Sequence, residues 1–128
     1  VKIMKEKFQI EYVFQNISAN ILWREITSSQ GLSEWFADSC DVVDKKKYIF
    51  SWQGTSQAAF LIKSEEGKFV RFQWENEVDS YFEFRIETSN LTKNVALTIV
   101  DFAEPEDKED SIMLWDSQID NLKRLMGI

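Results

Sequence analysis

The chain has 128 residues, enough for one domain with a sizeable core, and its 44% apolar and 14% aromatic content excludes a disordered segment. A formal net charge of −7 and a pI near 4.6 argue against a nucleic-acid partner, which needs clustered Lys and Arg. The absence of His and the single Cys40 exclude an internal disulfide, a Cys/His metal site and His-dependent nucleophilic catalysis. No metal or cofactor is therefore expected. No apolar run approaches the ~20 residues of a membrane span. The start, VKIMKEKF, lacks the apolar core of a signal peptide, so a cytoplasmic location is expected. Met4 reads as the natural start, with Val1 to Ile3 an upstream remnant.

Lys5 to Gln15 alternates, with Phe8, Ile10, Tyr12 and Phe14 on one side and Gln9, Glu11 and Gln15 on the other, which predicts a half-buried strand. Asn16 and Ser18 offer caps for a short helix over Ser18 to Ile26. Thr27, Ser28 and Ser29 break it and cap a second short helix, Gln30 to Phe36, whose buried side is Leu32, Trp35 and Phe36. Gly31 weakens that helix. Asp38 to Val43 reads as an edge strand, and Lys45-Lys46-Lys47 as a solvated turn.

Tyr48, Phe50 and Trp52 then alternate with Ile49, Ser51 and Gln53, and Gly54-Thr55 reads as a turn. Gln57 to Ser64 is apolar on both faces and is expected to be the most central strand. Phe69 to Glu75, Ser80 to Thr88 and Asn94 to Ala103 complete an antiparallel meander with short turns between them. A hairpin at Asn76–Val78 sets Phe72 opposite Phe82, Arg71 opposite Glu83 and Gln73 opposite Tyr81. That register pairs opposite charges on the outer face, whereas a two-residue shift sets Arg71 against Arg85.

The acidic segment Glu104 to Glu109, with the only proline, Pro105, leads into the final helix over Asp110 to Met126. There Ile112, Trp115, Ile119, Leu122 and Met126 share one face. Asp110 or Ser111 is the expected cap, Lys123 and Arg124 suit the negative end of the dipole, and Gly127 ends the helix. A stripe this long must be covered, because an isolated helix is marginal in water. The expected architecture is a single α+β domain over residues 1–128: a curved antiparallel sheet wrapped around one long C-terminal helix, with two short helices after the first strand.

That element order resembles the helix-grip fold of the START-like (SRPBCC) superfamily. The segment Ile21 to Asp38, with Ile26-Thr27 and Trp35-Phe36, is similar to the opening of its heat-shock-protein-ATPase-activator branch. Phe69-Val70-Arg71-Phe72-Gln73-Trp74 is similar to a strand of that group, and Trp115 with Asn121-Leu122 and Leu125 to its last helix. The chain is short and lacks the Pro and Gly residues that punctuate the middle of activator-like domains. In this it is closer to small stand-alone START-like proteins of Bacteroidetes bacteria. The resemblance implies a cavity between the concave face of the sheet and the long helix, used by different members for lipids, sterols, aromatic polyketides or hormones, and by a few for catalysis.

Tyr48, Trp52, Trp74, Tyr81, Phe82, Phe84 and Trp115 are the aromatics that either fill the core or line such a cavity; Tyr48, Trp52, Trp74, Phe82, Phe84, Trp115 and Ile119 are the ligand-binding candidates. Trp52, Trp74 and Trp115 come first, since a buried indole N–H needs a partner. Trp23 and Trp35 read as anchors for the short helices. Among carboxylates on strands, alternation places Glu11 and Glu83 outside as solvated acids and leaves the face of Asp101 ambiguous. Cys40 has no neighbouring base and reads as a small, half-buried residue. The acidic run Glu104–Asp110 reads as a solvated loop, or as a contact for a basic partner, or a gate beside the cavity mouth.

No paired acid–base constellation is visible, so binding is favoured over catalysis. Two functions remain: non-catalytic binding of a hydrophobic or amphipathic small molecule between the sheet and the helix, or a protein-interaction module with a filled core.

Overall fold

The computed structural model describes residues 4–128, so the expectation about Val1 to Ile3 lies outside the described residues. Seven antiparallel strands form one sheet: β1 (Glu6–Phe14), β2 (Ser39–Val43), β3 (Lys47–Trp52), β4 (Thr55–Glu65), β5 (Phe69–Trp74), β6 (Phe82–Thr88) and β7 (Val95–Ala103). Their order is β1-β7-β6-β5-β4-β3-β2. Only the link from β1 to β2 leaves the meander. It carries α1 (Ala19–Thr27) and α2 (Ser29–Trp35), which cross to the far edge of the sheet. A 3-10 turn, Pro105–Asp107, then starts α3 (Lys108–Leu125). This is the expected α+β helix-grip arrangement. No helix among the described residues is long and apolar enough to cross a membrane.

Local chemistry explains the joints. Ser28 ends α1 and caps α2: its backbone N–H donates to Arg24 O, and its Oγ accepts from the Gly31 N–H at 2.9 Å. Gly31 is needed for contact rather than flexibility, because a Cβ there would meet Glu25 Cα at 2.6 Å. The β3–β4 hairpin turns through Gln53 and Gly54, both at positive φ, so Thr55 already belongs to the strand.

The core lies between the concave face and the helices. Phe14, Leu22, Ile26, Leu32, Phe50, Phe72, Phe82, Phe84, Leu97, Ile99, Ile119 and Leu122 are all essentially inaccessible to water. The expected β5–β6 register is observed, with Phe72 opposite Phe82 and Arg71 opposite Glu83.

Four expectations are corrected. The most central strand is β5, with three strands on each side, and not the 57–64 segment. In β4, Phe60 and Ile62 are 37% and 47% exposed, and only Ala59 is buried. Phe60 alternates with the core-facing Ala59 and Leu61 and so lies on the other face of the sheet, and a register irregularity follows between Leu61 and Lys63. The strand expected from Ser80 begins at Phe82, after the loop that Gln73 Nε2 ties down through Val78 O. The final helix begins at Lys108, so Asp110 lies inside the first turn; Asp107 takes the cap position and makes no side-chain capping bond.

Glu83, finally, does lie on the outer face but is not solvated. It is 3% exposed, because Arg71 Nε (2.8 Å) and Arg85 (3.2 Å) close over it. The guanidiniums in turn stack on Tyr81 and Phe69, at 4.2 and 4.5 Å from the ring centroids.

Candidate functional site

Phe36, at the end of α2, organises one end of the interior. Its ring lies nearly parallel to Phe82 and Trp115 (centroids 5.7 and 5.8 Å) and edge-on to Phe50 and Trp52 (4.9 and 5.4 Å). Its carbonyl accepts from Trp52 Nε1 at 2.9 Å and from Gln118 Nε2 at 3.0 Å. One residue thus ties α2 to β3 and to α3.

Above it the first half of α3 stands off the sheet and leaves an open cleft of about 420 Å³. Trp52, Trp74, Phe82, Phe36, Leu114 and Trp115 form its apolar walls. Gln57, Asp101, Ser111 and Gln118 supply its polar groups. The volume falls in the ~300–1,000 Å³ range of small-molecule sites, and the apolar wall with few polar groups is their usual make-up.

Asp101 is the ionisable group of the cleft. It shares the inward face of β7 with Leu97 and Ile99, which resolves its ambiguous position. Oδ2 accepts from Trp115 Nε1 at 2.8 Å, and Oδ1 from the Phe102 N–H at 2.8 Å. Burial pushes its pKa up, and those two hydrogen bonds partly oppose the shift. The indoles of Trp52 and Trp115 are therefore satisfied by the protein. That of Trp74 has no hydrogen-bond acceptor among the described residues, although the ring borders the cleft.

Of the sequence candidates, the fold brings Trp52, Trp74, Phe82 and Trp115 together on the cleft. Tyr48, Phe84 and Ile119 lie beneath or beyond it. Tyr48 donates to Thr27 O at 2.9 Å and packs on Phe72, while Phe84 and Ile119 are wholly enclosed. Tyr81 faces the opposite side of the sheet, against Phe102 and Arg71.

Trp35 anchors α2 to α1 by donating to Glu25 O at 2.8 Å, and Trp23 packs half-buried on the core. Cys40 is buried, which pushes its thiol up to about 11 with Asp41 adding to the shift, so it stays protonated at neutral pH. Sequence reasoning missed Phe36, Gln57, Ser111, Leu114 and Gln118 as cleft residues. Spacing gave one hint, since Ser111, Leu114 and Gln118 recur at intervals of three and four, alongside the buried stripe.

The START-like superfamily domain model matches residues 3–128. The solution structure of BfR322 from Bacteroides fragilis is similar at 38% identity, with 97% of this chain and 93% of that chain covered and a TM-score of 0.69. CalU16 from Micromonospora echinospora shares the fold at 16% identity (96% and 75% covered, TM-score 0.74). So does the Aha1 dimer from Colwellia psychrerythraea, also at 16% identity (94% and 97% covered, TM-score 0.74). No curated protein matches the chain.

Proposed function

The chain belongs to the START-like superfamily, whose members commonly bind hydrophobic ligands, and on that premise we propose that it binds a hydrophobic or amphipathic small molecule, without catalysis, in the cleft beneath the first half of α3. The observation that carries this reading is the cleft itself, where the partly exposed rings of Trp52 and Trp74 and the exposed Leu114 lie beside the buried Phe82 and Trp115. Covering Trp52, Trp74 and Leu114 removes apolar surface from water at roughly 25 cal/mol per Å². Asp101 is no general acid in this reading, because no second titratable side chain borders the cleft with it.

Native mass spectrometry of freshly purified protein, followed by denaturing extraction, tests the proposal. A co-purified lipid or aromatic compound supports it. An empty protein whose Trp fluorescence ignores a panel of lipids and aromatic compounds contradicts it.

One observation favours the protein-interaction alternative. Met113 and Leu114, adjacent on α3, are 67% and 62% exposed and leave apolar surface that a partner could cover. Because Leu114 also borders the cleft, Met113→Lys separates the readings: it spares small-molecule binding and breaks a protein contact.

A further inference from the structure

The cleft has an uneven electrical character. Asp101 is the one ionisable side chain among its lining residues, and no Lys or Arg borders it. The two groups that donate to Asp101, the Trp115 indole and the Phe102 N–H, are both uncharged. The cation that acts on it, Lys5, is engaged by Glu77 at 2.7 Å, and Glu77 opposes the effect of Lys5 on Asp101.

The start of α3 contributes roughly half a positive charge from its dipole. The helix start also carries Lys108, and against these stand the full charges of Glu106 and Asp107 in the preceding turn and of Glu109 and Asp110 in the first helical turn, four acids to one base. The net charge of −7 acts in the same direction.

We infer that the cleft selects an amphipathic organic cation, an amine or quaternary ammonium on an apolar body, with Asp101 as the counter-charge and the partly exposed rings of Trp52 and Trp74 beside the cationic head. This rests on the reading that the cleft binds an apolar ligand, and adds the sign of that ligand's charge. An ammonium over aromatic faces is attracted by their quadrupoles, most strongly where water is excluded. A carboxylate or phosphate headgroup meets Asp101 as a like charge and finds no cation to pair with.

The test uses the full chain and three probes of one chain length: decyltrimethylammonium, decanol and decanoate, followed by Trp fluorescence and calorimetry at neutral pH. The expected order is the ammonium at least tenfold tighter than decanol, with decanoate weaker than decanol. In Asp101→Asn the ratio of ammonium to decanol affinity falls at least fivefold. Ser111→Lys, a change on the partly exposed rim, moves the preference toward decanoate and keeps the test decisive if Asp101→Asn does not fold.

Equal affinities for the three probes, or tightest binding of decanoate, overturn the inference and leave the apolar-ligand reading standing. An ammonium preference that survives in folded Asp101→Asn also overturns it, since the acidic surface then holds the cation. Absence of binding by all three overturns both.

Discussion

Two carboxylates are withdrawn from water on opposite faces of the sheet, and the fold treats them differently. On the convex face Glu83 is covered by Arg71 and Arg85, and those guanidiniums are held by Tyr81 and Phe69. On the concave face Asp101 has two uncharged N–H donors and an open cleft. A compensated buried charge holds strands in register, because losing either partner strands the other. An uncompensated one beside a cleft is a cost to the empty protein that a ligand can relieve. The first arrangement serves the sheet, and the second is the one on which the proposed binding of a cation rests.

Removing the charge on the convex face gives the largest expected effect. Glu83→Gln leaves two stacked guanidiniums without their anion, and a loss of about 3 kcal/mol in denaturant unfolding is expected. A loss under about 1 kcal/mol would mean that aromatic stacking alone holds the arginines, and the contrast between the faces would weaken. Arg71→Leu keeps one ion pair through Arg85 and costs less, about 1.5 kcal/mol. The half-exposed position of Arg71 screens part of its contribution.

Asp101→Asn tests the concave side through pH. Its folded pKa is raised by burial, so the native state binds the proton more tightly than the unfolded chain. Stability from this group is therefore greatest below its unfolded value, about 4, and falls as pH rises through the raised folded value. The Asn variant loses that decline: relative to the parent, its unfolding free energy improves from pH 3 to pH 7. A parallel pH profile for both proteins would show that Asp101 is not strained in the empty cleft.

The smallest effect concerns the strut between β1 and α3. Tyr12 donates to Asp116 Oδ1 at 2.6 Å, and burial, then that carboxylate, hold the phenol protonated. Tyr12→Phe is expected to cost under about 1 kcal/mol. Faster amide exchange in the first half of α3 than in the second would place the loosened contact beside the cleft.

Much of the fold was readable because its signals are local. Period-two runs located β1, β3, β5 and β6, the Ser28 cap separated α1 from α2, and opposite charges on Arg71 and Glu83 gave a hairpin register. Glu83 shows the limit. Alternation identified its face, but nothing in sequence spacing says that two arginines and two rings from neighbouring strands close over it. Phe60 and Ile62 misled for a related reason: apolar residues on both faces imply a central strand only where both faces are covered, and these two stay partly exposed on a strand whose Ala59 faces the core.

At the cleft, Trp52, Trp74, Phe82 and Trp115 were identifiable as large inward aromatics. Tyr48 and Phe84 have the same pattern and are packed core. The difference is where α3 leaves the sheet, a property of the whole fold that a helical stripe does not encode. Asp101 was ambiguous because it lies near the end of its strand, where alternation is a weak guide to the face.

The central claim is that the open aromatic cleft, and not the aromatic-rich core as a whole, receives a ligand. The five Trp indole N–H groups give five resonances in a ¹H–¹⁵N correlation spectrum. Titrating the ¹⁵N-labelled chain with decanol is expected to shift the signals of Trp52, Trp74 and Trp115, most of all Trp74, and to leave Trp23 and Trp35 in place. Unchanged indole signals, or equal shifts of all five, would contradict the account.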